Sequence, residues 1–192
     1  MKSKSFSILP ILYRLHILSP KGLFVWAESL ICEGISLMAM LRFAARFYPE
    51  RCAIIDEDGT VTYQQLYSRA RQLAQRLYTD YQLRPGMSVA LTGRNSLTLT
   101  ILLHALSRLG TRITLLSTDL GAEQIMATLE KQHYQLFVYD SDLKQIPRKL
   151  PCPATTTDTL RHLIIYRSSK MQEAKLPRIG RGRDIIIHSG GS

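Results

Sequence analysis

The chain has 192 residues, enough for one domain with a real core, and its 45% hydrophobic content is that of a folded protein rather than a disordered one. Its formal charge is +10, from 25 Lys and Arg against 15 Asp and Glu, so its field is positive. The densest basic cluster, Lys170, Lys175, Arg178, Arg181 and Arg183, has one aromatic neighbour, Tyr166, and no nucleic-acid-binding module, so it reads as a solvated loop and nucleic acid is excluded as a partner.

The first fifty residues are helical in pattern. Lys2 and Lys4 precede an apolar run from Phe6 to Tyr13, but Pro10 interrupts it and Arg14 and His16 follow at once. No small-residue cleavage site follows closely, so this is not a secretory signal. The region from Leu23 to Phe47 is long enough to span a bilayer, yet it holds Glu28, Glu33, Arg42 and Arg46, which a lone spanning helix tolerates badly. It is expected to be one amphipathic, core-packing helix, separated by Lys21-Gly22 from what precedes. Surface contact with a membrane stays open as an alternative.

Residues 51–141 alternate strand and helix signals. Ala53 to Asp56 is an apolar run, followed by the turn Glu57-Asp58-Gly59 and by Val61, a hairpin pattern. Thr62 with Gln65 three residues on forms a capping box and predicts a helix start. Leu66, Ala70, Leu73, Ala74 and Leu77 then line one face at helical spacing, and Pro85-Gly86 predicts a turn. Met87 to Leu91 reads as a strand. Ser96 is a candidate N-cap for a helix running to about Leu109, stopped by Gly110. Arg112 to Leu116 is a second strand, Gly121 to Gln132 a second helix, and Leu136 to Tyr139 a third strand. Apolar strands separated by single helices predict an α/β fold with a parallel sheet and crossover helices.

The remainder is rich in Pro and basic residues. Leu150-Pro151-Cys152-Pro153 and Thr155-Thr156-Thr157 read as loop, Leu163 to Tyr166 as a strand, and Asp184 to His188 as a buried strand leading into Ser189-Gly190-Gly191-Ser192. The three cysteines, Cys32, Cys52 and Cys152, lie far apart and suit neither zinc nor a disulfide framework. They are expected to be buried or half-buried thiols in a reducing, cytoplasmic protein.

Taken in order, these pieces resemble a known family. Val61-Thr62-Tyr63-Gln64-Gln65-Leu66 is similar to the "T-Y-x-E-L" opening of AMP-forming acyl-CoA synthetases and adenylation domains. Ala70 to Ala74 and Leu83 to Leu91 resemble that family's "A-x-x-L-A" and "G-V-x-P-G-D-x-V-A". Arg94-Asn95-Ser96, Leu106 to Thr111 and Leu115 to Thr118 follow where "N-S", "A-x-x-x-G-A" and "P-L-N-P" are usual. Ile186 to Ser192 resembles the first half of the AMP-binding signature, with His188 where Thr or Tyr is more usual.

The resemblance implies the N-terminal, partial form of the adenylate-forming fold, with a helical extension at 1–50 and an incomplete AMP-binding domain at 51–192. It implies that a carboxylic acid attacks Mg-ATP to give an acyl-adenylate, which coenzyme A then intercepts. Ser189, Gly190, Gly191 and Ser192 would form the first half of the ATP-phosphate loop. Glycines there let backbone N–H groups approach phosphate oxygens, and the serine hydroxyls add donors. The signature's Thr or Glu, Gly, Pro and Lys have no counterpart, so no catalytic residue is assigned and the chain itself is expected to be inactive, with no tightly held ATP, Mg2+ or coenzyme A. Fatty acid is the favoured acid class, with aryl and amino acids as alternatives. A non-catalytic remnant and a basic, membrane-surface module, peripheral at the inner face, are the rival readings.

Overall fold

The computed structural model describes residues 19–57, 59–131, 134–142, 155–156, 163–167 and 185–188. Five helices are described, α1 (Pro20–Glu33), α2 (Leu37–Phe47), α3 (Tyr63–Thr79), α4 (Leu97–Arg108) and α5 (Ala122–Lys131). The strands are β1 (Cys52–Asp56), β2 (Gly59–Thr62), β3 (Ser88–Thr92), β4 (Arg112–Leu116), β5 (Leu136–Asp140), β6 (Thr155–Thr156), β7 (Leu163–Arg167) and β8 (Ile185–His188).

The expected single helix from Leu23 to Phe47 is two helices. Gly34 adopts φ 68°, which caps α1 through its N–H on the Leu30 carbonyl, and an L side chain would strain there. Ser36 then accepts from the Ala39 N–H and starts α2. Lys21-Gly22 does not break the chain. Ser19 is the N-cap, Pro20 takes the first helical position, and Lys21 and Gly22 lie inside α1.

The capping box of α3 forms as its residues dictate. Gln65 N–H donates to Thr62 Oγ1, and the Gln65 side chain accepts from the Thr62 N–H. Leu66, Ala70, Leu73, Ala74 and Leu77 are all buried along one stripe. The Pro85-Gly86 turn has Gly86 at φ 84° and the Met87 N–H on the Arg84 carbonyl, the geometry of a type II turn.

Strands β1 and β2 make a separate antiparallel hairpin. The main sheet has the order β6-β7-β5-β3-β4-β8. Strands β5, β3, β4 and β8 run parallel, as the strand–helix alternation predicts. Two details depart from a purely parallel sheet. β7 pairs antiparallel with β5, and Thr155-Thr156, read as loop, forms the short β6 beside β7. An apolar strand reads alike in either direction, and a two-residue strand has no periodicity to detect.

Alternation along the strands sorts the core to two faces. Val89 and Leu91 of β3 and Leu136 and Val138 of β5 pack with α2, α3 and α4. Ala90, Phe137 and Tyr139 point the other way and pack with Ile125 of α5. Both faces are covered, which explains the near-continuous apolar runs.

One of the charges in the helical layer is buried and organises it. The Glu33 side chain is 2% exposed and forms ion pairs with Arg108 of α4 and, at 3.7 Å, with Arg42 of α2. Tyr67 of α3 donates its hydroxyl to Glu33 at 2.6 Å, and Arg42 bridges onward to Glu28 at 2.8 Å. Burial, then the bond to the Glu33 carboxylate, pushes the Tyr67 hydroxyl above its ordinary pKa. One buried acid thus joins four helices.

The cysteine expectation is corrected. Cys32 sits on the outer side of α1 and Cys52 opens the two-stranded hairpin, and both are exposed free thiols. Cys152 lies outside the described residues.

Candidate functional site

The parallel strands fix where a ligand can approach. Thr92 pairs with Tyr139, and Leu116 pairs with His188. These positions make a row at the carboxyl edge of the sheet. Helix α4 follows β3 onto one face and α5 follows β4 onto the other, as their separate core clusters show. The connections therefore part between β3 and β4. In open α/β sheets such a switch point leaves a crevice outside the carboxyl ends, where ligands bind.

Three described segments border this edge: 93–96 after β3, 117–121 after β4, and 141–142 after β5. Strand β8 lies beside β4 in parallel, so the chain leaves the sheet at His188 one strand spacing from Leu116, about 4.8 Å. The four residues read as a phosphate loop, Ser189, Gly190, Gly191 and Ser192, lie outside the described residues.

A helix N-terminus at this edge attracts anions in general, but that of α4 is already occupied. Asp56, from the end of β1, accepts from the Leu97 N–H at 3.0 Å, and Ser96 accepts from the Leu99 N–H at 3.1 Å. A carboxylate thus stands where a phosphate would have to sit, and the hairpin is tied to the start of α4 by the same bond. No sequence signal marked Asp56 for this, because its partner is 41 residues away. Replacing Asp56 with alanine is expected to lower stability by about 1 kcal/mol through loss of the cap. A urea titration of the Asp56→Ala protein would show it as an earlier midpoint at unchanged slope.

The other borders are polar and open. Ser117 Oγ accepts from the Asp119 N–H at 3.2 Å, shaping the turn after β4. Arg94 and Asp142 pair at 3.5 Å across the edge, with side chains 73% and 62% exposed, a contact too solvated to hold the loops together. Thr92, at the end of β3, is 2% exposed and its Oγ1 has no hydrogen-bond partner, which nothing among the described residues explains.

A groove of about 600 Å3 lies elsewhere, lined by Arg71, Gln75, Tyr78 and Arg108 among others. Leu109 at its rim leads through Gly110 and Thr111 to the start of β4, so it faces the amino edge, opposite the crevice. Among the described residues no group of His, Cys, Asp or Glu could hold a metal. No described helix is long and apolar enough to cross a membrane.

Residues 41–184 match the sequence profile of the AMP-binding enzymes. The chain belongs to that family. The mixed α/β architecture with its mostly parallel sheet is the N-terminal part of the adenylate-forming fold. The profile match ends just before β8, so the phosphate-loop assignment rests on the resemblance of Ile186 to Ser192 and on strand register.

Similar proteins of this AMP-binding family include the 2-succinylbenzoate–CoA ligases of Bacillus subtilis, 30% identical over 101 residues, and Bacillus licheniformis, 33% identical over 98. These matches cover 53% and 51% of this chain but only 21% and 20% of the relatives, about a fifth of their length. The B. subtilis o-succinylbenzoate coenzyme A synthetase solved with ATP and magnesium superimposes with a TM-score of 0.51 at 28% identity, over 58% of this chain and 31% of that one. A protein of Rhodopseudomonas palustris assigned as a long-chain-fatty-acid CoA ligase gives 0.55 at 23% identity, covering 59% and 28%, and so shares the fold alone. The relatives named here above 25% identity are succinylbenzoate–CoA ligases, and none of them supports the fatty-acid expectation.

Proposed function

We propose that the chain supplies the N-terminal part of an AMP-forming acid–coenzyme A ligase, with Ser189, Gly190, Gly191 and Ser192 serving the ATP phosphates. The observation that supports this reading is the parallel docking of β8 on β4, which brings the last strand residue, His188, to the carboxyl edge beside the crevice. Backbone N–H groups of a glycine-rich turn at that point would meet phosphate oxygens without obstruction by side chains. Mg2+ and coenzyme A belong to the same reaction. Among the described residues no group of three or more His, Cys, Asp or Glu could hold a metal ion.

For the acid, we favour an aromatic carboxylate of the succinylbenzoate kind over a fatty acid, on the identity of the relatives. A fatty acid is the second reading.

The test uses the protein captured from its native source with an antibody to residues 50–140. Its intact mass is compared with the 21.8 kDa of this sequence, and acid-dependent ATP–pyrophosphate exchange is measured with 2-succinylbenzoate, benzoate and a long-chain fatty acid. Exchange with an aromatic acid is the expected result. Exchange with the fatty acid alone would keep the ligase and overturn the aromatic assignment. An intact protein that exchanges with no acid would overturn the ligase reading and leave a non-catalytic remnant.

A further inference from the structure

Helix α1 is turned inside out relative to an ordinary surface helix. Its inward face buries the polar residues Ser29, at 0% exposure, and Glu33, beside Gly22 and Val25. Its outward face carries Leu23, Phe24 and Ile31, and Ile35, between the helices, and Met40 of α2 are exposed as well. Phe24 is 70% exposed and Ile31 84%. A concentration of exposed large apolar side chains in one short segment marks an interaction face.

The charge of the sequence leading into α1 says what the face meets. The first acidic residue of the sequence is Glu28, while Lys2, Lys4, Arg14 and Lys21 all precede it. Lys21 is itself exposed at the start of α1, with its ammonium 5.6 Å from the Phe47 ring centroid. A second copy of this chain would bring a net charge of +10 against another +10. An anionic bilayer meets both requirements, since apolar side chains enter the acyl boundary while cations meet the headgroups. Fourteen residues make a helix of about 21 Å, too short to cross a hydrocarbon core of about 30 Å but suited to lying on it. The face also lies largely outside residues 41–184, so the family's shared core does not account for it.

We infer that α1 and the start of α2 dock this protein on an anionic membrane surface through Leu23, Phe24, Ile31, Ile35 and Met40. The inference is independent of the ligase reading.

The test is flotation of the full chain with vesicles of phosphatidylcholine, with and without phosphatidylglycerol, at low and high salt. The expected result is binding to the anionic vesicles that weakens with salt. The double variant Phe24→Ser/Ile31→Ser should bind at least about tenfold more weakly, because two exposed apolar anchors are lost. Both side chains point to solvent, so its circular dichroism should match the parent's. Ile35→Ser, between the helices, gives a second variant that should lose binding in the same direction. Absence of binding, equal binding to neutral vesicles, or unchanged binding by both variants would each overturn the proposal. So would a parent dimer in gel filtration that the double variant dissociates while vesicles capture neither protein, which would make this face a contact between copies.

Discussion

The Glu33→Ala protein is expected to lose about 3–5 kcal/mol of stability, the range for breaking a buried ion pair from one side. The carboxylate faces Arg108 and Arg42 and accepts from Tyr67, with its own side chain 2% exposed. Deleting it leaves two guanidinium groups facing each other in a poorly solvated layer, and it removes the acceptor of the Tyr67 hydroxyl. Domains of this size are stable by about 5–15 kcal/mol, so the loss takes a large share of the total. Glu33→Gln should lose less, since an amide oxygen still accepts from Tyr67. Arg46→Ala, at the solvent end of the same network with a side chain 58% exposed, should change stability by under about 1 kcal/mol. Urea unfolding of the three proteins checks the order. Equal midpoints for Glu33→Ala and Arg46→Ala would sink the argument that burial sets the effect.

The Leu102→Ala protein is expected to lose about 3 kcal/mol. Leu102 is fully buried on α4, in the cluster that joins α2, α3 and the sheet, and its removal leaves a cavity that surrounding rigid elements cannot fill. The control is Ile31→Ala on α1. It removes as much apolar bulk from a side chain 84% exposed, and its effect on stability should stay within about 0.5 kcal/mol. Paired thermal or urea melts separate the two. A similar loss for both would mean that the outer face of α1 is covered in the isolated chain.

The parts of this fold that are local were legible in the sequence. Thr62 and Gln65 interact three residues apart, so the start of α3 needed no tertiary information. Ser96 and Gly110 bracket α4 for the same reason, and the apolar runs of β3, β4 and β5 fall within a residue of their observed bounds. What was illegible depends on meetings across the chain. The break at Gly34 is the exception, a local stop-and-start signal of glycine then Ser36 that the apolar pattern running through it hides. The role of Glu33 depends on Arg108, and that of Asp56 on Leu97, and neither pairing leaves a trace in local spacing. The direction of β7 depends on how the chain returns, not on Leu163 to Tyr166 themselves. Of the candidate site, the loop residues rest on the family resemblance and lie outside the described residues, while strand register brings His188 to the carboxyl edge.

The pairing of β8 with β4 joins segments about 70 residues apart, Ile113 with Ile185 and onward to His188. By contrast β3, α4 and β4 follow one another directly and their contacts close short loops. Loop-closure entropy rises with span, so pairings across long separations form late and slow a chain's folding. On the ribosome, β4 is therefore an open sheet edge for the whole time it takes to make the next seventy-odd residues, about 4–14 s at ordinary synthesis rates. Its Ile113, Leu115 and Leu116 are the stretch most in need of protection in that interval, and the crevice gains its last wall only when His188 has emerged.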